Sequence, residues 1–170
     1  MKKPSPLLNY PEAQRYTLGL LSRRDRTYFE LSAKLSQRSV PTEIQAQLLD
    51  WLASKGWVND ERSAESFTAS RKGMGWGPSK IRVGLLKRGI AKTLIDHTLR
   101  EHFGKDEEGE CALHLLRGKK SFFRDSNPDN SNKRPQKALA FLVRRGFSYG
   151  YARLAVQKVF GYNSDLPEEE

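Results

Sequence analysis

The side chains that most often carry out chemistry are few in this sequence, and their spacing does not suit catalysis. His97 and His102 are five positions apart, whereas two metal ligands on one helix face stand about four apart. The single cysteine, Cys111, has no second thiol for a disulfide or a zinc site. The glycine-rich stretch at 73–77 is not followed by the Gly-Lys-Ser/Thr of a phosphate-binding loop. The sequence therefore predicts no catalytic residue, no metal site and no cofactor, and we expect a protein that is not an enzyme.

Positive charge is the chemistry that this sequence does offer. Its 30 Lys and Arg against 20 Asp and Glu give a formal net charge of +10, which is typical of proteins that bind nucleic acid or another anionic surface. Many of these cations flank predicted helices, and together with one tryptophan they form the predicted contact surface. Its residues are Arg23, Arg24, Arg26, Arg71, Lys72, Trp76, Lys80, Arg82, Lys87, Arg88, Lys133, Arg134, Lys137, Arg144 and Arg145.

The position of each cation relative to a helix decides whether the helix dipole alone could explain it or whether partner binding is the better explanation. Cations ahead of a helix start gain nothing from the helix dipole, so those in the turns are the stronger candidates. The leading ones are Arg23, Arg24, Arg71 and Lys72. Cations at a helix end are favoured by the dipole alone, so an equal alternative for that set is a purely structural role. That set is Arg38, Lys87, Arg88, Arg144 and Arg145.

Trp76 is the aromatic residue with the clearest functional alternative. It lies among glycines in the segment KGMGWGP, so an exposed indole there would stack on a base or fill a pocket of a protein partner. An indole folded back over its own helices is an equal alternative. Trp51 and Trp57 fall in and just after an apolar helix pattern, and we expect both in a core.

Three stretches of the sequence repeat one another and position the cations. They are FELSAKLSQRSV at 29–40, SKIRVGLLKRGI at 79–90 and QKALAFLVRRGF at 136–147. In register, one column holds Arg38, Arg88 and Arg145, and the next holds Ser39, Gly89 and Gly146. Glycine suits the left-handed backbone that ends many helices, and Ser39 departs from it. Self-similarity with a period near 50 residues indicates a tandem helical array.

Each repeat is predicted to contain three helices. Thr27 and Glu30 form a capping box, Asn59 or Asp60 caps a later helix, and prolines stand where helices open. No stretch alternates apolar and polar residues as a strand would. The fold class is therefore predicted to be all-α, with three tandem three-helix bundle repeats in an elongated, curved array. The predicted boundaries are an N-terminal tail at 1–11, repeats at 12–57, 58–103 and 104–161, and an acidic tail at 162–170.

At this point the residues resemble a known family. The segments LLSRRDRTYFELSAKL at 20–35, GWVNDERSAESF at 56–67 and GWGPSKIRVGLLKRGI at 75–90 are similar to the RecX regulatory proteins of bacteria. The resemblance is strong over the first two repeats and weaker over the third. It implies three tandem three-helix bundles, binding to the RecA recombinase filament, and restraint of its ATP hydrolysis and strand exchange. It also implies binding to DNA, with single-stranded DNA as the main expected ligand and double-stranded DNA as a further candidate. The implied effects are on DNA repair, recombination and the SOS response.

Two hypotheses follow for the partner. In the first, the protein lies along a RecA filament on single-stranded DNA and favours a state with poorer ATP turnover. In the second, it is a general nucleic-acid binder of helical-repeat type that competes for DNA. Binding dominated by phosphates should weaken steeply as salt rises, which separates the two. We expect a monomer. We expect it in the cytoplasm, because the sequence has no apolar run near the ~18 residues of a membrane helix and no secretory signal at its N-terminus.

Two polar segments complete the sequence. The loop at 121–135 is rich in Asn, Asp, Ser and Pro and is predicted to be flexible. For Phe122, Phe123 and Arg124 at its start we expect packing onto the core, with contact to a partner as the alternative. The acidic residues at 165–170 would act on the basic surface as a brake or serve as a soluble tail, and deleting them should tighten DNA binding if they occupy that surface.

Overall fold

The computed structural model describes residue 6 and residues 9–104, 106–119, 123 and 133–161, and these fold into α-helices without a strand. The helices are α1 (Tyr10–Leu21), α2 (Tyr28–Gln37), α3 (Thr42–Ser54), α4 (Asp60–Gly73), α5 (Pro78–Lys87), α6 (Lys92–His102), α7 (Glu107–Gly118), α8 (Lys133–Arg144) and α9 (Tyr149–Phe160). The all-α prediction is confirmed. Among the described residues, no helix is both long enough and apolar enough to cross a bilayer.

The predicted start signals act where the sequence places them. Thr27 Oγ1 accepts from the Glu30 amide at 3.1 Å, and Glu30 Oε2 accepts from the Thr27 amide at 3.3 Å, so the capping box is confirmed. At α4, Asn59 Oδ1 accepts from the Arg62 amide at 2.8 Å. Asn59 is therefore the residue that caps α4, and Asp60 is the first residue of the helix.

One compact unit holds Met1–Phe67 and Gly84–Asp96. Its core contains the fully buried leucines of α2 and α3, together with Ala13, Val40 and Val58. Trp51 packs partly buried against this core. The prediction for Trp57 was wrong, because its side chain is 46% exposed and meets Trp51 edge to face with ring centroids 5.3 Å apart. Trp57 follows the end of α3, where the chain has left the buried face of the helix.

The other compact unit holds Thr68–Val83 and His97–Glu170. Side chains from α7, α8 and α9 form its core, including Leu116, Leu142 and Val156. Phe123 is buried in this core, with its ring edge-on to Phe141 at 5.6 Å, which confirms the packing expected for it. Phe122, Arg124, most of the 121–135 loop and the acidic tail lie outside the described residues.

The column of helix exits shows why glycine is needed at two positions and not at the third. Gly89 has φ +75° and Gly146 has φ +90°, and Ser39 occupies the same left-handed region at φ +55°. A Cβ at Gly89 would collide with the Phe29 side chain. A Cβ at Gly146 would lie 2.5 Å from the backbone nitrogen of Lys80. Ser39 is exposed. At Gly89 and Gly146, glycine is therefore required both by the left-handed φ and by the close approach of a helix start to the turn.

Candidate anion-binding site at the helix junctions

In the first unit, the start of α2 packs against the exit turn of α5, and we name this contact the first junction. Thr27 Oγ1 donates a hydrogen bond to the Arg88 carbonyl at 2.6 Å. The Arg88 guanidinium in turn donates to the Glu30 carboxylate, from Nε at 3.3 Å and from Nη2 at 3.4 Å. Arg24 donates to the same carboxylate from Nη1 at 3.2 Å. The first junction therefore places one carboxylate between two guanidinium groups.

The environment of Glu30 keeps its carboxylate ionised. Burial alone would raise its pKa, but the hydrogen bonds from Arg24 and Arg88 outweigh burial, and the pKa of Glu30 lies below its ordinary value. The side chains of Glu30 and Arg88 are only 18% and 16% exposed. Water screens this pair less than an ordinary surface ion pair, so the pair stabilises the first unit.

The arginines of the repeated column also lie over aromatic rings. The Arg38 guanidinium carbon is 4.8 Å from the ring centroid of Tyr16, and that of Arg88 is 5.3 Å from the centroid of Phe67. Arg145 lies 5.1 Å from the centroid of Phe141. Each contact is in the range of a cation–π interaction. These contacts give the column a structural role, which was one of the two alternatives for cations at helix ends.

In the second unit, the start of α5 packs in the same way against the exit turn of α8, and we name this contact the second junction. The Gly77 amide donates to the Arg145 carbonyl at 2.8 Å, and the Ser79 amide donates to the Gly146 carbonyl at 3.1 Å. Arg145 Nη1 donates to the Met74 carbonyl at 3.0 Å. A Cβ on Gly77 would overlap the backbone of Gly146. The second junction therefore joins two backbone segments directly.

Trp76 brings further cations to the second junction. Lys80 Nζ lies 4.6 Å from the centroid of the indole, and the Arg71 guanidinium carbon lies 5.1 Å from it. The indole is half-buried beneath these side chains. The structure thus brings together four of the predicted contact residues at one place. They are Arg71, Trp76, Lys80 and Arg145.

The placement of Arg71 and Lys72 ahead of a helix start was wrong, because both lie in the last turn of α4, where the helix dipole favours cations. Lys72, a leading candidate from the sequence, has an internal role. Its Nζ donates to the His102 carbonyl and to Glu107 Oε1, both at 2.7 Å, and lies 5.2 Å from the ring centroid of Phe103. The hydrogen bond from Lys72 lowers the pKa of Glu107. Lys72 therefore ties the end of α4 to the connection between α6 and α7.

The other predicted contact residues lie along helix and turn surfaces. Exposed side chains are those of Arg23, Lys87, Lys133, Lys137 and Arg144, and half-buried ones are those of Arg26, Arg82 and Arg134.

Sequence reasoning missed the role of Glu30 as the carboxylate of the first junction. The signal was present in the register of the repeats, because the column of Glu30 holds Lys80 and Lys137 in the other two copies.

A groove of about 950 Å³ lies in the second unit between the end of α4 and α7. Its lining includes Lys72, Met74, Cys111 and His114. Burial raises the pKa of the Cys111 thiol, so the thiol is protonated and weakly reactive at neutral pH. Within the residues that the structure describes, no three His, Cys, Asp or Glu side chains are grouped as metal ligands would be.

The chain is similar in sequence to several proteins named RecX. The family model for the second three-helix domain of RecX matches residues 59–99. The regulatory protein RecX of Pseudomonas entomophila is 37% identical over 145 residues, which span 85% of this chain and 90% of the relative. The chain belongs to the RecX family. RecX of Pseudomonas putida strain F1 is 38% identical over 84% of this chain and 88% of its own, and RecX of Xanthomonas campestris pv. campestris strain 8004 is 34% identical over 82% and 83%.

Solved RecX structures share the fold. A crystal structure of regulatory protein RecX superposes with a TM-score of 0.71 and 26% identity, over 86% of this chain and 72% of that chain. RecX from Lactobacillus salivarius gives the same TM-score of 0.71 at 24% identity, over 88% and 96%. The resemblance drawn from the sequence is confirmed, and a RecX regulatory role follows from the relatives.

Proposed function

We propose that this RecX-family protein binds the RecA filament on single-stranded DNA and inhibits its ATPase and recombinase activities, and thereby affects DNA repair and recombination. Membership of a family of regulatory proteins supports this proposal. The observation that carries the contact is the second junction, where Arg71 and Lys80 lie against the Trp76 indole and Arg145 donates to the nearby Met74 carbonyl. Among the described residues, no carboxylate pairs with Lys80 or Arg145. This excess of positive charge suits an anionic partner.

Inhibition would follow from unequal binding to two states of the filament. A regulator lowers ATP turnover only if it binds a slow state more tightly than an active one. A tenfold preference corresponds to about 1.4 kcal/mol. The proposal extends to the predicted organisation in three repeats at 12–57, 58–103 and 104–161, and to a cytoplasmic monomer. The match of the RecX second-domain model to residues 59–99 supports the middle boundary.

A second candidate is a nucleic-acid binder that affects recombination through competition for DNA. Trp76 favours this candidate, because an aromatic ring beside cations is a common platform for single-stranded nucleic acid. Such binding should weaken steeply with salt, since each neutralised phosphate releases counterions.

The test is ATP hydrolysis by preformed RecA filaments on single-stranded DNA, titrated with this protein at near-physiological salt. Binding of the protein to naked DNA is measured in parallel. We expect inhibition below one copy per RecA protomer, at concentrations where naked DNA is mostly unbound. Inhibition that appears only when the DNA itself is covered would support competition instead.

A further inference from the structure

The two junctions are equivalent in sequence register and in the arginine carbonyl that accepts a hydrogen bond, but opposite in charge at one position. Thr27 aligns with Gly77, Arg88 with Arg145, and Glu30 with Lys80. In both junctions the residue just ahead of the helix donates a hydrogen bond to the carbonyl of the aligned arginine: Thr27 through its side-chain Oγ1 at 2.6 Å, and Gly77 through its backbone amide at 2.8 Å. The same position of the repeat therefore holds a carboxylate in one unit and an ammonium group in the other.

We propose that the second junction is a binding site for the carboxylate of an acidic side chain on a protein partner. In the first junction, Glu30 supplies that carboxylate from within the chain, and Arg88 holds it through Nε and Nη2. In the second junction, Lys80 stands in the column of Glu30 and Arg145 in the column of Arg88. The described part of the chain supplies no carboxylate to either of them, and the proposal assigns that carboxylate to a protein partner.

The donors needed for such a carboxylate are present. A guanidinium group carries five N–H donors, and Arg145 uses Nη1 for the Met74 carbonyl. The ammonium group of Lys80 carries three donors and lies over the Trp76 indole. Charge-assisted hydrogen bonds to a carboxylate are about twice as strong as neutral ones. The body of the half-buried indole would also cover the methylene groups of an acidic side chain.

The structure favours a protein carboxylate over a nucleic-acid backbone. A phosphodiester chain is held by a row of cations that each meet a phosphate. Lys72, the predicted cation next to Arg71 in the sequence, is held by Glu107 and the His102 carbonyl at 2.7 Å and does not extend the second junction into such a row. The anion already bound at the equivalent place in this fold is a carboxylate, from Glu30. The site itself stands on this comparison, and only the assignment of its acid to RecA rests on the proposed function.

The variant that tests the site is Lys80→Glu in the full chain. It gives the second junction its own carboxylate in the column of Glu30, beside Arg145. We expect it to keep the melting temperature of the unsubstituted protein or raise it, and to lose binding of an external carboxylate. Lys158→Glu is the matched control, because Lys158 is an exposed residue of α9 in the same unit and the change in charge is identical. Lys80→Gln removes the cation without adding an acid and serves if Lys80→Glu fails to fold.

The readout is the 19F NMR signal of Trp76 in protein labelled with 5-fluorotryptophan, assigned with Trp76→Phe. The probes are a hexaglutamate peptide and an oligothymidylate of equal net charge. We expect the peptide to shift the Trp76 signal at a concentration at least about tenfold lower than the oligonucleotide, a difference of about 1.4 kcal/mol. The shift should vanish in Lys80→Glu and persist in Lys158→Glu. An equal or stronger response to the oligonucleotide, or no response to the peptide, would overturn the proposal.

RecA enters in a separate measurement, so that the two proposals fail separately. If the peptide shifts the Trp76 signal but Lys80→Glu still inhibits the RecA ATPase fully, the site stands and its acid belongs to another partner. If the protein inhibits RecA but the peptide causes no shift, the regulatory function stands and the carboxylate site is wrong.

Discussion

Three glycine substitutions separate the two reasons for which glycine is needed at the second junction; two are in that junction, and Gly161 at the end of α9 serves as the reference. Gly161→Ala tests backbone conformation alone, because Gly161 has φ +66° and no heavy atom lies within 4 Å of an added Cβ. Gly77→Ala tests close approach alone, because its Cβ would overlap Gly146 and its φ is not in the left-handed region. Gly146→Ala tests both, with φ +90° and a Cβ 2.5 Å from the Lys80 backbone nitrogen.

The expected costs differ enough to be measured. A left-handed φ costs a residue with a Cβ about 1–2 kcal/mol, so Gly161→Ala should lose about that much. Overpacking in a close contact costs about 1–3 kcal/mol, and the reduced entropy of the unfolded chain returns less than about 1 kcal/mol. Gly146→Ala should therefore lose about 1–5 kcal/mol, which is about 1–3 kcal/mol more than Gly161→Ala, because the same return applies to both. Because Gly77 and Gly146 touch, the double variant should lose less than the sum of the two single changes.

The assay is urea unfolding followed by far-UV circular dichroism and by the 19F signal of Trp76, which reports on the second unit. A change in the midpoint with an unchanged slope gives the free energy directly. A loss in Gly146→Ala no larger than that in Gly161→Ala would refute the reasoning. It would mean that the junction opens without cost and that only φ requires glycine there.

Three further predictions rest on contacts within single units. Glu30→Gln should lower the free energy of unfolding at pH 7 by about 1–3 kcal/mol. Because the folded pKa of Glu30 is lowered, the full difference should be present above the ordinary pKa of 4.5 and should shrink as the pH falls below it. Urea titrations at pH 3 to 7 would check this dependence. A difference that does not depend on pH would contradict the ion pair. Cys111 should react with a disulfide reagent at pH 8 more slowly than free cysteine and speed up in urea, because burial raises its pKa; equal rates would count against that burial. Ser39→Gly should stabilise the first unit by up to about 1 kcal/mol, because glycine has no Cβ to be strained at the left-handed φ of +55° in this exposed turn. A loss of stability in urea unfolding would contradict such strain.

Local signals predicted the helices well because helix starts and ends are determined by nearby residues. The capping box of Thr27 and Glu30 and the glycine at the exit of α8 are examples of such signals. Trp57 was placed in a core because it continues an apolar pattern, but the pattern outlasts the helix by a few residues. The prediction failed where periodicity no longer described the backbone.

The candidate site was less accessible, because its contacts join residues far apart in the sequence. Lys72 meets Glu107 across 35 positions, and no local pattern marks that pair. Arg88 meets Glu30 across 58 positions. Only the register of the repeats links Glu30 to Lys80, and that comparison becomes informative once the aligned arginine carbonyl is known to accept a hydrogen bond in both junctions. The assignment of the predicted residues to partner binding stays a prediction.

Ser39 has a consequence for how a chain of this kind lengthens. Another three-helix segment joined ahead of α1 would bring its own helix start against the exit turn of α2, as α2 and α5 already do against later turns. It would meet the serine side chain where those contacts require glycine. Gene duplication at this end would therefore need a second mutation, serine to glycine, before the new copy could dock. An engineer who builds longer proteins from these segments would keep the serine in the first copy, where it prevents a further segment from docking, and would use glycine in all the others.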